Sequence, residues 1–95
     1  MNHVFRALAD PTRREILKHL GNGPMTSGAI ADRFDSAWAT VSRHLSVLAA
    51  ADLVIARRNG QQVYYELNTT VFQNFVSHLM EWTETTRAKD PAENE

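Results

Sequence analysis

Thr40-Val41-Ser42-Arg43-His44-Leu45-Ser46-Val47-Leu48 decides the fold of this 95-residue chain. Val41, Leu45 and Leu48 recur at helical spacing as an apolar comb, and Thr40, Ser42, Arg43 and His44 place short polar or cationic groups on the other side. Such a helix can dock on a domain through one face and offer the other to base edges in a DNA major groove. Ala51-Asp52-Leu53-Val54 follows closely, and then Ile55-Ala56-Arg57-Arg58-Asn59-Gly60-Gln61-Gln62-Val63-Tyr64-Tyr65, which reads as a hairpin with a basic tip. A recognition helix over about 36–50 followed by this ribbon predicts a mainly α fold with a β-hairpin wing, a winged helix-turn-helix. That order of elements points to gene regulation rather than to catalysis.

Working outward, the chain divides into five helices and one hairpin, in the order of four helices, two strands and a last helix. A short first helix covers about Asn2–Ala9, with Val4, Phe5 and Leu8 on one side. Asp10 can cap the next helix, and Pro11 suits its first position, where no N–H is needed. That helix runs to about Leu20 and is stopped by Gly21-Asn22-Gly23-Pro24. Thr26 caps a third helix over about Ser27–Phe34, and Ser36 or Asp35 is expected to cap the recognition helix. Strands are expected near 53–58 and 61–67 around an Asn59-Gly60 type I′ turn, a register that sets Ala56 opposite Val63 and Val54 opposite Tyr65. One face of the ribbon is then apolar. The last helix spans about Thr69–Thr86, some 27 Å at 1.5 Å per residue. Its stripe of Val71, Phe72, Phe75, Val76, Leu79, Met80 and Trp82 is wider than docking on one small domain needs. It either forms a well-buried core helix or divides between its own core and a second subunit. Residues 1–86 are thus expected to form one DNA-binding and dimerisation domain, and 87–95 a polar, acidic tail.

Bulk properties set limits. A domain this small buries a limited fraction of its surface, so a partner subunit is expected. The chain has no cysteine, which excludes disulfides and thiolate metal sites and fits a reducing cytoplasm. No apolar run approaches the ~20 residues of a bilayer span, and the first residues do not resemble a signal peptide. The net charge of -1 argues against a generic nucleic-acid glue, but the distribution is uneven. Residues 1–80 hold eight Lys/Arg and six Asp/Glu, whereas 81–95 hold two against five. Charge at the reading surface matters more than the total. No glycine-rich phosphate loop, nucleophile elbow or paired carboxylates in a recognisable pocket setting suggests an enzyme, and no cofactor is expected.

Ala9-Asp10-Pro11-Thr12-Arg13-Arg14-Glu15-Ile16-Leu17, Val41-Ser42-Arg43-His44-Leu45, Ala51-Asp52-Leu53-Val54 and Tyr64-Tyr65-Glu66-Leu67 occur in an order and spacing that resembles the arsenic-repressor (ArsR/SmtB) family of bacterial dimeric winged-helix repressors. The resemblance covers about residues 2–86. Tyr64-Tyr65-Glu66-Leu67-Asn68-Thr69-Thr70-Val71-Phe72 looks closest to metal-free autorepressors of the Sdp type. The resemblance implies a homodimer built from the first and last helices, with Val4, Phe5, Leu8, Phe72, Phe75, Leu79 and Trp82 at its interface. Two recognition helices would then enter successive major grooves of an inverted-repeat operator, often in the protein's own promoter.

Within that frame, Arg43 can pair bidentately with guanine or grip a phosphate, and Thr40 and Ser42 can contact bases or phosphates. His44 can donate to DNA or serve in packing or capping. Trp38 can press on a sugar or a thymine methyl, or cover the joint between the third and fourth helices. Arg57, Arg58, Asn59, Gly60 and Gln61, with Gln62, form a wing tip suited to phosphate or the minor groove; a basic tip can also simply keep an edge hairpin soluble. Thr26 and Ser27 can hold a phosphate or only cap their helix. Arg13 and Arg14 are expected to pair with nearby carboxylates. The family's local pattern is broken at Ala37, where a capping Ser is common, and at Ala39, where Pro is common.

No metal is expected. Thiolate positions of metal-sensing relatives fall near Thr26 and Gly28, which cannot supply one. Glu81 and Glu84 fall near ligand positions of zinc-sensing relatives, but the partner positions hold Thr69 and Val71. His78 suits a dimer interface or the surface. The Sdp-type resemblance implies a protein or membrane-protein inducer that sequesters the dimer. The alternative reading is a winged-helix module that grips another protein, with weak DNA binding or none.

Overall fold

The computed structural model describes residues 2–88. Its elements are α1 (Asn2–Leu8), α2 (Pro11–Leu20), β1 (Met25–Thr26), α3 (Ser27–Ala31), α4 (Trp38–Ala50), β2 (Val54–Asn59), β3 (Gln62–Leu67) and α5 (Thr69–Ala88). Asp10 caps α2 by accepting from the Arg13 N–H at 3.0 Å, with Pro11 in the first turn. Thr26 caps α3 by accepting from the Ala29 N–H at 3.1 Å. α3 stops at Ala31, short of Phe34, although the N–H groups of Arg33 and Phe34 still bond back to Ile30 and Ala31 in a tighter turn. α5 runs two residues past Thr86, and the remainder of the expected tail, 89–95, lies outside the described residues.

Ile16, Leu20, Ile30, Val41, Leu45, Leu48 and Leu53 meet in the core, which α1 enters through Val4 and Ala7, and α5 through Phe75. α4 ends in a Schellman motif, in which the Leu53 N–H bonds to Leu48 O and the Asp52 N–H to Ala49 O, both at 3.0 Å. Asp52, with φ 59°, takes the left-handed position usually given to glycine. This closure buries Leu53 beside Leu48 and aims the chain into β2, which gives Ala51-Asp52-Leu53-Val54 its structural meaning.

The sheet has three antiparallel strands in the order β1-β3-β2, so the hairpin gains a short third strand absent from the sequence reading. The hairpin register also differs from expectation. Ala56 lies opposite Tyr65, Val54 opposite Leu67, and Asn59 opposite Gln62. The turn therefore centres on Gly60-Gln61 rather than Asn59-Gly60. Gly60, with φ 67°, holds the first central position, where a positive φ favours glycine, and Asn59 stays in the strand. Moving the pairing by two residues keeps side chains on the same faces, so the apolar face survives the correction.

Candidate nucleic-acid interface

α4 carries Val41, Leu45 and Leu48 into the core and leaves Arg43 exposed and Thr40 and Ser42 partly exposed along its outer side. Its N-cap is Ala37, which cannot accept a side-chain hydrogen bond. Neither Ser36 nor Asp35 takes that role, because the helix starts one residue later than a Ser36 cap requires. Trp38 occupies the first turn and is 58% exposed. In the α3–α4 joint it is Phe34 that packs edge-on to His19, with ring centroids 5.9 Å apart, while Trp38 is left more than half exposed. A large apolar side chain thus stands in solvent where a recognition helix would enter a groove.

The wing adds a cationic tip. Arg58, Asn59, Gly60 and Gln61 are exposed, and Arg57 is held by a cross-strand ion pair with Glu66. The observed register explains that pair, since Arg57 faces Tyr64 and Glu66 lies on the adjacent diagonal of the same face. The expected register set Arg57 opposite Gln62 and hid this partner. Thr26, Ser27 and Gly28 share a cleft with Gln61, Gln62 and Val63, so the α3 start and the wing turn face a common space. Thr26 already uses its hydroxyl oxygen as the α3 cap.

Behind α4, the two arginines of α2 take partners other than those expected. Arg13 donates from Nε to Ala7 O at 2.7 Å and from Nη2 to Arg6 O at 3.0 Å; Arg14 donates to Leu8 O at 2.7 Å and Ala9 O at 3.1 Å. Both therefore satisfy carbonyls at and just past the end of α1, Arg6 O being shared with the Ala9 N–H, and among the described residues neither forms the expected carboxylate pair. Arg13 Nη1 also reaches His44 Nδ1 at 3.3 Å, and the His44 side chain is only 16% exposed. Asp10 Oδ2 lies 3.9 Å from that nitrogen. The Arg13 N–H is the main influence holding the Asp10 carboxyl below its ordinary value; burial opposes it, and the nearby His44 ring and Arg13 guanidinium reinforce it.

Comparison with known proteins gives this arrangement its relatives. Residues 8–57 match the helix-turn-helix domain family. The transcriptional repressor SdpR of Bacillus subtilis is 45% identical over 80 residues, spanning 84% of this chain and 89% of SdpR. A crystal structure of an ArsR family transcriptional regulator superposes with a TM-score of 0.83 at 30% identity, covering 93% of this chain and 91% of that one. The chain belongs to the ArsR family. A further relative is the homodimeric winged helix-turn-helix DNA-binding domain of Mycobacterium bovis, with a TM-score of 0.72, 31% identity and coverage of 90% and 78%.

For an ArsR-family chain, the α1–α5 face is the second surface of interest. Phe5 packs edge-on to Phe75, with centroids 5.3 Å apart, and stacks on Trp82 at 5.9 Å and 11°. His78 lies edge-on to Trp82 at 5.3 Å. Val4 and Phe75 are buried within the single chain, while Phe72, Leu79 and Leu8 are partly buried against its core. The apolar surface left open is Val76 and Met80, each 52% exposed, together with Trp82 and Phe5. Val76 and Met80 stand one helical turn apart, a spacing legible in the sequence, but only the packing of Phe75 inward showed which side of the stripe was free. Among the described residues, no three His, Asp or Glu side chains gather as a metal site, and no helix is long and apolar enough to cross a membrane.

Proposed function

We propose that this chain is a sequence-specific transcriptional repressor, acting in the cytoplasm as a homodimer on an inverted-repeat operator. The observation that carries the reading is α4 itself, which is anchored by three buried aliphatic residues and presents Trp38, Thr40, Ser42 and Arg43 beside a cationic wing. Arg43 supplies the bidentate or phosphate contact, and Thr40 and Ser42 allow close approach to the groove. Arg58, Asn59, Gly60 and Gln61 engage the flanking backbone or minor groove. Arg57 contributes less charge there because Glu66 pairs with it. Ser27 and Gln61, across their shared cleft, are placed to take the same phosphate strand.

A second copy covers Phe5, Val76, Met80 and Trp82, pairing α1 and α5 about a two-fold axis. The likeness to SdpR and to the homodimeric Mycobacterium bovis domain supports both the repressor role and this assembly. The operator lies in the protein's own promoter, and a protein inducer, in membrane or solution, releases the dimer. Release by a metal ion or small molecule alone would overturn that last assignment. Replacing Arg43 by Ala tests the central one, because operator affinity should fall while the denaturation midpoint holds.

A further inference from the structure

His44 sits next to Arg43 in the chain, yet its ring faces the other way, into the junction of α1, α2 and α4. One guanidinium occupies that junction. Arg13 uses Nε and Nη2 on the carbonyls of Ala7 and Arg6, and Nη1 on His44 Nδ1. Arginine carries only donors and stays protonated, so this contact requires Nδ1 to accept. The ring proton must then sit on Nε2, which fixes the tautomer. Arg14 also caps α1, but its hydrogen bonds end at Leu8 and Ala9, and Arg13 alone continues from α1 to α4.

We infer that the Arg13–His44 hydrogen bond is a positioning link, locking the recognition helix to the end of the helix that bears the dimer face. The inference rests on the DNA-reading role of α4. α1 is seated on α5 through Phe5, Phe75 and Trp82, and these two helices carry the open apolar surface. The pose of α4 against α1 therefore sets the separation and tilt of two recognition helices in a two-fold dimer, which must match half-sites about 34 Å apart. His44 serves DNA through Nδ1 and Arg13, without touching it.

The two ring nitrogens allow a decisive comparison. His44→Asn keeps an acceptor near the Nδ1 position, whereas His44→Gln places its amide near Nε2. Affinity would be measured by anisotropy on a duplex selected from a random pool, with dimerisation followed by sedimentation and folding by denaturation. His44→Asn should bind within about twofold of the parent protein, and His44→Gln and His44→Ala should lose about tenfold, with dimer and fold retained. Binding by the Gln variant equal to or better than the Asn variant would overturn the link, and in that order would favour direct contact through Nε2. These variants avoid Arg13, whose replacement also uncaps α1. Nitrogen-15 spectra of His44 in mildly alkaline buffer give an independent reading: an Nε2–H tautomer is expected, and an Nδ1–H tautomer overturns the link. Should the parent protein select no duplex, the DNA-reading role fails, and the tautomer still decides the hydrogen bond.

Discussion

At the residue scale, identity and environment divide the work between sequence and structure. Arg43 was legible as an exposed cation because it stands off the apolar comb of α4, and it is exposed. Arg43→Ala should cost about 1–3 kcal/mol of operator binding, roughly a tenfold loss or more, with little change in stability. Trp38 and His44 were not legible alone. A tryptophan or histidine at a helix edge can face either way; in the fold Trp38 is mostly exposed and the His44 ring lies against Arg13. Asp10 illustrates a residue whose role was plain from Asp-Pro before a helix. Its carboxyl is held below the ordinary value of 3.8, so its added stabilisation is fully present above that value and is lost as pH falls through the lower folded value. Asp10→Asn should keep the cap and flatten the loss of stability at acidic pH, whereas Asp10→Ala should cost about 1 kcal/mol at neutral pH, both read from denaturation midpoints.

At the element scale, helices were more legible than strands. The combs of α2 and α4 have enough turns to declare their period, and Asp10, Thr26 and the Gly21–Pro24 stretch mark their ends. The hairpin was legible in kind but not in register, because Asn59-Gly60 and Gly60-Gln61 can each form a two-residue turn around the same glycine. The pairing of Ala56 with Tyr65 and the Arg57–Glu66 ion pair accompany the second. β1 was invisible because two residues carry no alternation; its existence depends on β3 arriving beside it. Gly60 bears the turn's positive φ with nothing within 4 Å of an added Cβ, so Gly60→Ala isolates the backbone cost. That variant should lose about 1 kcal/mol of stability with an unchanged dependence on denaturant concentration.

At the scale of the whole molecule, one small core holds together two surfaces that the sequence could suggest but not delimit, a recognition helix with its wing and an apolar α1–α5 face. The face was foreseen as a wide stripe. Its free edge is Val76 and Met80, because α5 turns Phe75 inward and Phe5 covers part of Trp82. Met80→Glu should convert the dimer to monomer in sedimentation, leave helix content intact, and weaken operator binding by removing the second recognition helix. The central claim is that the assembled surfaces read DNA by sequence. The most direct test is a fluorescence-anisotropy titration of a pool-selected duplex and its scrambled counterpart at two salt concentrations. Tight binding to the selected duplex alone, at two subunits per site and weakening as salt rises, is the predicted result. Equal, weak binding to both duplexes with no response to salt would contradict it and return α4 to a role in gripping another protein.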